Sequence, residues 1–317
     1  MHPAFSVIVF STFSGAGYGL LFWAAFAALA GISSARMLLV ALAAALVLCS
    51  VGLLASMLHL GKPMRAWRAF SQWRTSWLSR EGVLAMLTYV PAVLLGAALL
   101  PAMLDGRAPG AVPALNAAGV AIALVLMACS LATVYCTAMI YACLTPIPAW
   151  RHWLVPPVYL GFALLTGGLL VVAITKVNVA AFGYLPALAT IVLALALWLA
   201  KLRYWRDIAA PLPATRGAAV GLPQQTVSVF ERPHTEANYI TREMAFVVAR
   251  KHASRLRLAA VILFALVPTL CVLATSLLAN ADATPWFAIA AASAIVGTFV
   301  ERWLFFAEAR HMVTLYY

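Results

Sequence analysis

Apolar runs of about 20 residues follow one another along this chain and restrict its possible folds more than any other feature. Only 9% of the residues are charged and 65% are hydrophobic, whereas about a quarter of the residues in a soluble domain are charged. Such a chain cannot cover its surface with water-facing groups, so we predict an integral membrane protein. Lipid allows only helices or closed barrels, and the runs lack the alternation of barrel strands. The sequence therefore predicts an all-α membrane protein.

Eight runs are long enough to cross a bilayer, which predicts a single domain, residues 1–317, built as a bundle of eight transmembrane helices. The predicted spans are about 5–31, 37–60, 82–104, 112–144, 153–175, 180–200, 257–279 and 286–306. The first run is too long for a signal peptide and has no basic flank, so we expect a permanent span. The one long connection, about 201–256, is predicted to be an extramembrane loop.

Basic residues are distributed unevenly between the two faces that eight spans define. Eighteen of the 21 Lys and Arg residues fall on the face that carries both termini, and three fall on the other face. The positive-inside rule then places both termini in the cytoplasm of a bacterial inner membrane. A basic face could instead dock an acidic partner, so this alternative explanation of the charge stays open. Because the Lys and Arg residues are spread along the membrane borders, we do not expect the chain to bind nucleic acid.

Cysteine and histidine positions argue against a metal centre in this chain. The five cysteines lie inside apolar runs, form no CxxC pair and are expected to pack as small side chains: Cys49, Cys129, Cys136, Cys143 and Cys271. Heme needs axial His ligands within the bundle. The six histidines lie at or outside the predicted helix ends: His2, His59, His152, His234, His252 and His311. We therefore expect no heme and no metal in this chain.

The connection between the second and third spans, LHLGKPMRAWRAFSQWRTSWLSRE at residues 58–81, concentrates polar and aromatic residues. Trp67, Phe70, Trp73 and Trp77 have the spacing of one helix face, with polar and basic residues turned away from it. This pattern predicts a short interfacial helix at the membrane surface. Taken alone, the segment could be an anchor and nothing more.

His59 and Glu81 stand at the two ends of that connection, where antiparallel spans would bring them to the same depth. An imidazole beside a carboxylate can take up and pass protons near neutral pH. A quinone headgroup needs such groups at the membrane border, because its redox chemistry moves two protons while its tail stays in lipid. The two residues are therefore candidates for a quinone site. The alternative is a His–Glu pair that only holds two helix ends together.

Transport is a second possible function, but a transporter needs ionisable groups near the bilayer centre. None of the nine acidic residues is predicted to lie near the midplane. Without a heme, cluster or flavin motif the chain cannot carry electrons far. A quinone site here therefore implies a separate electron-carrying subunit on the basic face.

Three blocks of the sequence resemble the membrane anchor subunit of dimethyl sulfoxide reductase, the DmsC family of the wider polysulfide reductase-like superfamily. They are GLLASMLHLGKPMRAWRAFSQWRTSWLSRE at 52–81, MIYACLTPIPAWRHWLVPPVYLGFALLTGG at 139–168, and ERWLFFAEARHMVTLYY at 301–317. The first block is the most specific, and the resemblance covers essentially the whole chain. It implies a quinol-binding, non-catalytic anchor for a molybdopterin catalytic subunit and a four-cluster iron–sulfur subunit in anaerobic-type respiration.

The resemblance also implies a set of residues that bind the quinol, either menaquinol or ubiquinol. Matched by motif, they are His59, Trp77, Ser79, Arg80, Glu81, Glu301 and Arg302. Of these, His59 and Glu81 are implied to handle the quinol protons and Trp77 to wall the ring, while Glu308 is implied to serve the partner interface. The partner's substrate and the direction of electron flow stay open. A purely structural anchor remains an alternative.

Overall fold

A computed structural model describes residues 4–105, 113–175, 185–210, 214–231, 248–277 and 283–315. The α-helices in these ranges are α1 (Phe5–Leu29), α2 (Ala35–Met57), α3 (Trp77–Leu104), α4 (Ala117–Ala142), α5 (Val155–Thr175), α6 (Leu185–Ile208), α7 (Arg216–Ala219), α8 (Val248–Val261), α9 (Val267–Leu277) and α10 (Thr284–Ala307). Three other helical segments accompany them: the 3₁₀ helices Pro63–Gln72, called the 3₁₀ segment below, and Met312–Leu315, and the π-turn Ile262–Leu266.

Eight helical rods in the described part of the chain are long and apolar enough to span a bilayer, if α8, the π-turn and α9 are taken as one continuous rod. The described ranges contain no β-strand. These observations confirm the predicted all-α bundle of eight spans, with a short helix between the second and the third.

Several helix ends differ from the prediction, and two of these differences place Glu81 and Lys201 inside helices. α3 begins at Trp77 rather than near residue 82, because Ser76 caps it by accepting a hydrogen bond from the Ser79 N–H. α6 continues to Ile208 instead of ending near residue 200. Lys201, which was predicted to lie in the long extramembrane loop, is therefore a buried residue of α6. Glu81 likewise lies one turn inside α3.

α1 lies at the centre of the bundle, in contact with α2, α4, α5 and α10. Glycines on α1 allow its neighbours to approach closely. A methyl group added to Gly19 would overlap the Ala163 carbonyl oxygen of α5, and one added to Gly17 would lie 2.6 Å from the Cys49 sulfur of α2. Small residues at helix contacts are the usual means of tight packing in membranes. α1 therefore fixes the positions of the helices that carry the polar core described below.

The π-turn in the seventh span has an identifiable hydrogen-bonding cause. The Val267 N–H bonds to the Ile262 carbonyl, one residue further back than in an α-helix. This shift releases the Leu263 carbonyl, which accepts a hydrogen bond of 2.8 Å from the Ser293 hydroxyl of α10. Pro268 follows directly and has no N–H to donate. At the π-turn, intrahelical hydrogen bonds are thus replaced by a hydrogen bond between the seventh span and α10.

The connection 143–154 and the C-terminal segment close one end of the bundle. The Trp150 indole donates to the Phe305 carbonyl at 3.1 Å, and the Met312 N–H donates to the Pro146 carbonyl at 2.9 Å. The 3₁₀ segment and the first turn of α3 lie at this same end, because α3 runs antiparallel to α4 and α10 ends here. The connection 143–154 and the C-terminal segment therefore lie at the same end of the bundle as the start of α3.

Candidate functional site

Ser79 and Arg80 fasten the 3₁₀ segment and the two residues after it to the start of α3. The Ser79 hydroxyl donates to the carbonyl of Ala69. The Arg80 guanidinium donates to the carbonyls of Trp73, at 3.0 Å, and Arg74, at 2.5 Å. Each of these side chains therefore bonds to backbone carbonyls of the preceding segment. In this chain they stabilise the first turn of α3, a role that does not require a bound ligand.

The aromatic residues of the same region form a partly exposed surface. The Trp77 ring lies 4.4 Å from the Arg80 guanidinium and packs edge-on against Tyr135 of α4, with ring centroids 5.9 Å apart. Trp67 and Trp73 are 65% and 55% exposed, so the 3₁₀ segment leaves indole faces uncovered. Amphipathic rings of this kind favour the boundary between lipid and water. Flat apolar ring faces are therefore exposed next to the first turn of α3.

Glu81 is buried, with 6% of its surface exposed. Its carboxylate accepts a hydrogen bond from the Thr137 hydroxyl of α4 at 3.3 Å. Among the described residues no cation forms an ion pair with it, because the neighbouring Arg80 is turned toward the 3₁₀ segment. A buried carboxylate without a cation is costly unless it binds a proton or a polar group. Glu81 therefore has the environment of a group that exchanges protons.

His59 lies in the turn that follows α2, and its side chain is exposed. No hydrogen bond or ion pair joins His59 to Glu81 within the described chain. The predicted pairing of these two residues is therefore not seen. The physical reason is that the start of α3 at Trp77 draws Glu81 into the bundle, where Thr137 is its partner, while His59 stays outside.

A second set of buried charges lies deeper in the bundle, on α6 and α10. The Lys201 ammonium is 2.6 Å from a Glu301 oxygen, a close ion pair that lacks the alignment of a hydrogen bond. Arg302 lies 3.5 Å from the other Glu301 oxygen. All three side chains have at most 2% of their surface exposed. We call these three residues the ion triad.

Glu301 and Arg302 were predicted to support the site from the end of the eighth span, near the membrane border. They lie inside α10, as the predicted span implies, with Glu301 six residues before its end, about 9 Å by the helical rise. The Arg302 guanidinium stacks 3.4 Å from the centre of the Tyr159 ring of α5, and no direct bond joins either residue to Glu81. Glu301 pairs with Lys201 of α6, and Arg302 stacks on Tyr159 of α5. These two helices therefore determine the surroundings of Glu301 and Arg302.

Two narrow cavities adjoin the ion triad. The first is lined by polar groups of α1, α4, α5 and α10, among them Thr12, Tyr18, Thr137, Tyr159, Thr298 and Arg302. The second lies on the other side of Arg302 and is lined by Tyr159, Lys201, Tyr204 and Glu301. Each has room for about one water molecule and is too small for a six-membered ring. The first cavity reaches Thr137 and therefore comes next to Glu81.

Charged groups outside the spans complete this end of the bundle. Glu308 follows α10 and pairs with Arg257 at 2.8 Å. Burial raises the pKa of Glu308, and Arg257 opposes this rise. His152 contacts Asp207 at 3.3 Å, and burial lowers the pKa of His152 although Asp207 opposes the shift. Glu308, predicted to serve a partner interface, is therefore engaged within its own chain.

The sequence matches one family over nearly its whole length. Residues 1–307 match the family described as DMSO reductase anchor subunit (DmsC). The chain belongs to this family. It is also 32% identical, over 336 aligned residues that cover 100% of this chain and 99% of the relative, to a sulfite dehydrogenase subunit of Allochromatium vinosum. The resemblance carried by the three sequence blocks is thereby confirmed.

Membership in the DmsC family explains why the chain has eight membrane spans. Its members are membrane anchor subunits of molybdopterin oxidoreductases, so this chain is a multi-pass membrane subunit whose oxidoreductase partner is a separate protein. The ordered end of the bundle, with its basic connections and exposed indoles, is consistent with a surface that is covered by another subunit.

Sequence reasoning did not identify three residues that define the polar core: Lys201, Tyr159 and Thr137. Lys201 carried a usable signal, because Tyr204 and Trp205 lie one turn after it and continue a helix face that could enclose the cation. Thr137 carried none, because threonines inside apolar runs commonly bond to their own helix, and Tyr159 carried none, because a tyrosine in an apolar run commonly packs as an aromatic core residue. Only the packing of α4 and α5 shows what they contact.

Proposed function

We propose that this chain anchors a molybdopterin and iron–sulfur oxidoreductase to the membrane and exchanges electrons between quinol and that complex. The observation that carries the proposal is Glu81, a buried carboxylate at the lip of α3 with a hydroxyl partner and no cation. Family membership supplies the redox partner, and the site supplies a proton acceptor beside a flat aromatic surface. The chain holds the quinol and its protons, whereas the catalytic reaction belongs to the partner.

The quinone ring binds at the surface rather than inside the closed bundle. The interior cavities hold water-sized molecules only, whereas Trp77 and Tyr135 present ring faces at the lip of α3 and α4. There the ring stacks on the indole while the isoprenoid tail stays in lipid. On the water side the ring is covered by the partner's iron–sulfur subunit. His59, which is exposed in the turn after α2, accepts a hydrogen bond from a quinol hydroxyl at this boundary.

Oxidation of the quinol then follows a balanced course. Two electrons leave for an iron–sulfur cluster of the partner, two protons leave the hydroxyl groups, and a quinone remains. Glu81 takes one proton and His59 takes the other. When the partner instead delivers electrons, as the name of the sulfite dehydrogenase relative suggests for that protein, the same two groups return protons to the quinone. The proposed residues thus serve either direction and either menaquinol or ubiquinol.

The test separates quinol chemistry from anchoring. In the assembled complex in its membrane, Glu81→Gln should lower quinol-dependent turnover by about 100-fold or more, because a proton acceptor is lost. His59→Ala should lower it as well. Turnover with a soluble dye, which bypasses the membrane subunit, should be unchanged, as should the amount of complex on the membrane.

A matched control lies on the same helix. Asp105 is an exposed acid at the opposite end of α3, so Asp105→Asn should leave quinol turnover unchanged. If Glu81→Gln and His59→Ala retain full quinol turnover, the chain is a structural anchor and the quinone assignment is wrong. Flux of ions or solutes into liposomes that contain the chain alone would instead indicate a transporter.

A further inference from the structure

Among the described residues, several buried polar groups that line the first cavity have no hydrogen-bond partner. They are the hydroxyls of Thr12, Tyr18 and Tyr159 and the Nε of Arg302. All four residues line this cavity. Buried polar groups are almost always satisfied, and a polar void of this size is where ordered water is found. These unpartnered groups therefore indicate bound water.

Glu81 and the two cavities form a series of neighbours. Thr137 bonds to Glu81 and also lines the first cavity. Tyr159 and Arg302 line both cavities, so the second cavity adjoins the same side chains as the first. The second cavity reaches Lys201, Glu301 and Tyr204, and the Tyr204 hydroxyl donates to the Ala149 carbonyl at 3.1 Å, in the connection between α4 and α5.

The charges along this series balance only when Glu81 is ionised. Glu81 and Glu301 are two carboxyl groups, and Lys201 and Arg302 are two cations, all of them buried. A proton that arrives on Glu81 leaves the set with one net positive charge inside a bundle that lipid surrounds. An uncompensated buried charge is costly. The triad therefore opposes retention of the proton and favours its onward movement.

We propose that the two cavities hold water that carries protons between Glu81 and the ion triad. The route runs from Glu81 past Thr137, through water held by Tyr18 and Tyr159, then beside the ionised Glu301 carboxylate and toward the connection 143–154. Arg302 keeps its proton and orients the water, because a guanidinium does not deprotonate in proteins. The proposal rests on the proposed role of Glu81 and adds the path by which its proton leaves.

The transfer is balanced at every step. Glu81 receives a proton from the quinol, and the same proton or its equivalent passes to water as the O–H bonds along the chain exchange. Water of the second cavity passes it on beside Glu301, which stays ionised between Lys201 and Arg302, so Glu81 returns to its starting state. No electron moves along this path, since the electrons leave separately to the partner's cluster.

Two conservative variants test the path in the assembled complex. Thr137→Val and Tyr159→Phe each remove one hydroxyl and keep the shape of the side chain. Each should lower quinol-dependent turnover by about tenfold or more and raise the ratio of the rates in H₂O and D₂O, because proton transfer becomes limiting. Dye-dependent turnover should stay unchanged and shows that the complex has assembled.

The matched control is Thr133→Val. Thr133 is a buried threonine one turn before Thr137 on α4, and its hydroxyl contacts Thr88 and the Cys129 carbonyl rather than Glu81 or a cavity. It should show the wild-type rate and the wild-type isotope ratio. If Thr137→Val and Tyr159→Phe also match wild type, the path is refuted.

The outcomes distinguish this proposal from the quinone site itself. Loss of quinol turnover in Glu81→Gln with wild-type behaviour of Tyr159→Phe would retain the site and overturn the path. Full turnover in Glu81→Gln would overturn both. An experimental map of the complex that resolves ordered water offers an independent check. Water within hydrogen-bonding distance of the Tyr18 and Tyr159 hydroxyls supports the path, and a dry cavity contradicts it.

Discussion

Two buried glutamates in this protein have opposite surroundings. Glu301 has a lysine and an arginine within 3.5 Å, whereas Glu81 has a threonine hydroxyl. A carboxylate held by two cations keeps its charge and organises the helices that supply them. One that bonds to a hydroxyl alone can gain and lose a proton without breaking an ion pair. The neighbours, rather than the residue type, therefore distinguish Glu301, which ion pairs hold in its charged form, from Glu81, for which we propose proton exchange.

The ion triad predicts an unequal response to the loss of its members. Glu301→Gln leaves Lys201 and Arg302 buried without a carboxylate and should destabilise the fold by about 3–5 kcal/mol. Lys201→Met should cost less, because Arg302 still neutralises Glu301. The melting temperatures of the detergent-purified complexes measure the order. Arg203→Gln, which removes an exposed partner of Asp207, should change little. Equal losses for Lys201→Met and Glu301→Gln would show that Arg302 does not compensate.

At the scale of elements, the contact between α1 and α5 depends on two glycines that face each other. Gly19 lies against the Ala163 carbonyl, and a methyl group on Gly167 would overlap the Gly19 carbonyl carbon. No side chain could fit at either position without separating the helices. Tyr18 and Tyr159 stand beside this contact and line the first cavity. The width of the cavity is therefore set by backbone contact rather than by its polar residues.

Two glycine substitutions on α1 test this contact. Gly19→Ala forces α1 away from α5 and should destabilise the protein by roughly 1–3 kcal/mol. Gly15→Ala lies on the same helix, with nothing within 4 Å of the added methyl group. It should be neutral or should stabilise the helix by up to about 1 kcal/mol. Thermal unfolding of the two purified variants gives the comparison. Similar melting temperatures would show that α1 and α5 are less tightly packed than described.

Apolar run length was enough to predict the eight spans, because lipid imposes length and composition on any helix that crosses it. It could not place the ends at Trp77 and Ile208, since these depend on a cap by Ser76 and on the pairing of Lys201. The motif block named Glu81, but its separation from His59 follows from packing against Thr137. Polar contacts between helices distant in sequence leave no periodic signal in one chain.

For the whole molecule, the polar groups with a proposed function gather toward one end of the bundle. Glu81 lies near the start of α3, the ion triad near the ends of α6 and α10, and the Glu308–Arg257 pair just beyond them. The same end carries both termini and most of the basic residues. The proposed quinol site and most of the basic residues therefore lie on one side of the membrane.

The charge distribution predicts that this side is the cytoplasm, and cysteine labelling can test the orientation. Cys143 is exposed at the end of α4 on the face of the termini, while Asp105 lies at the opposite end of α3. In cells that express the chain alone, an impermeant maleimide added outside should label Asp105→Cys in a Cys143→Ser background. It should not label Cys143 of the unmodified chain, whereas inverted vesicles should give the reverse. Labelling of Cys143 from outside would place Glu81 and its partner on the outer side. The basic residues would then serve partner docking rather than membrane topology.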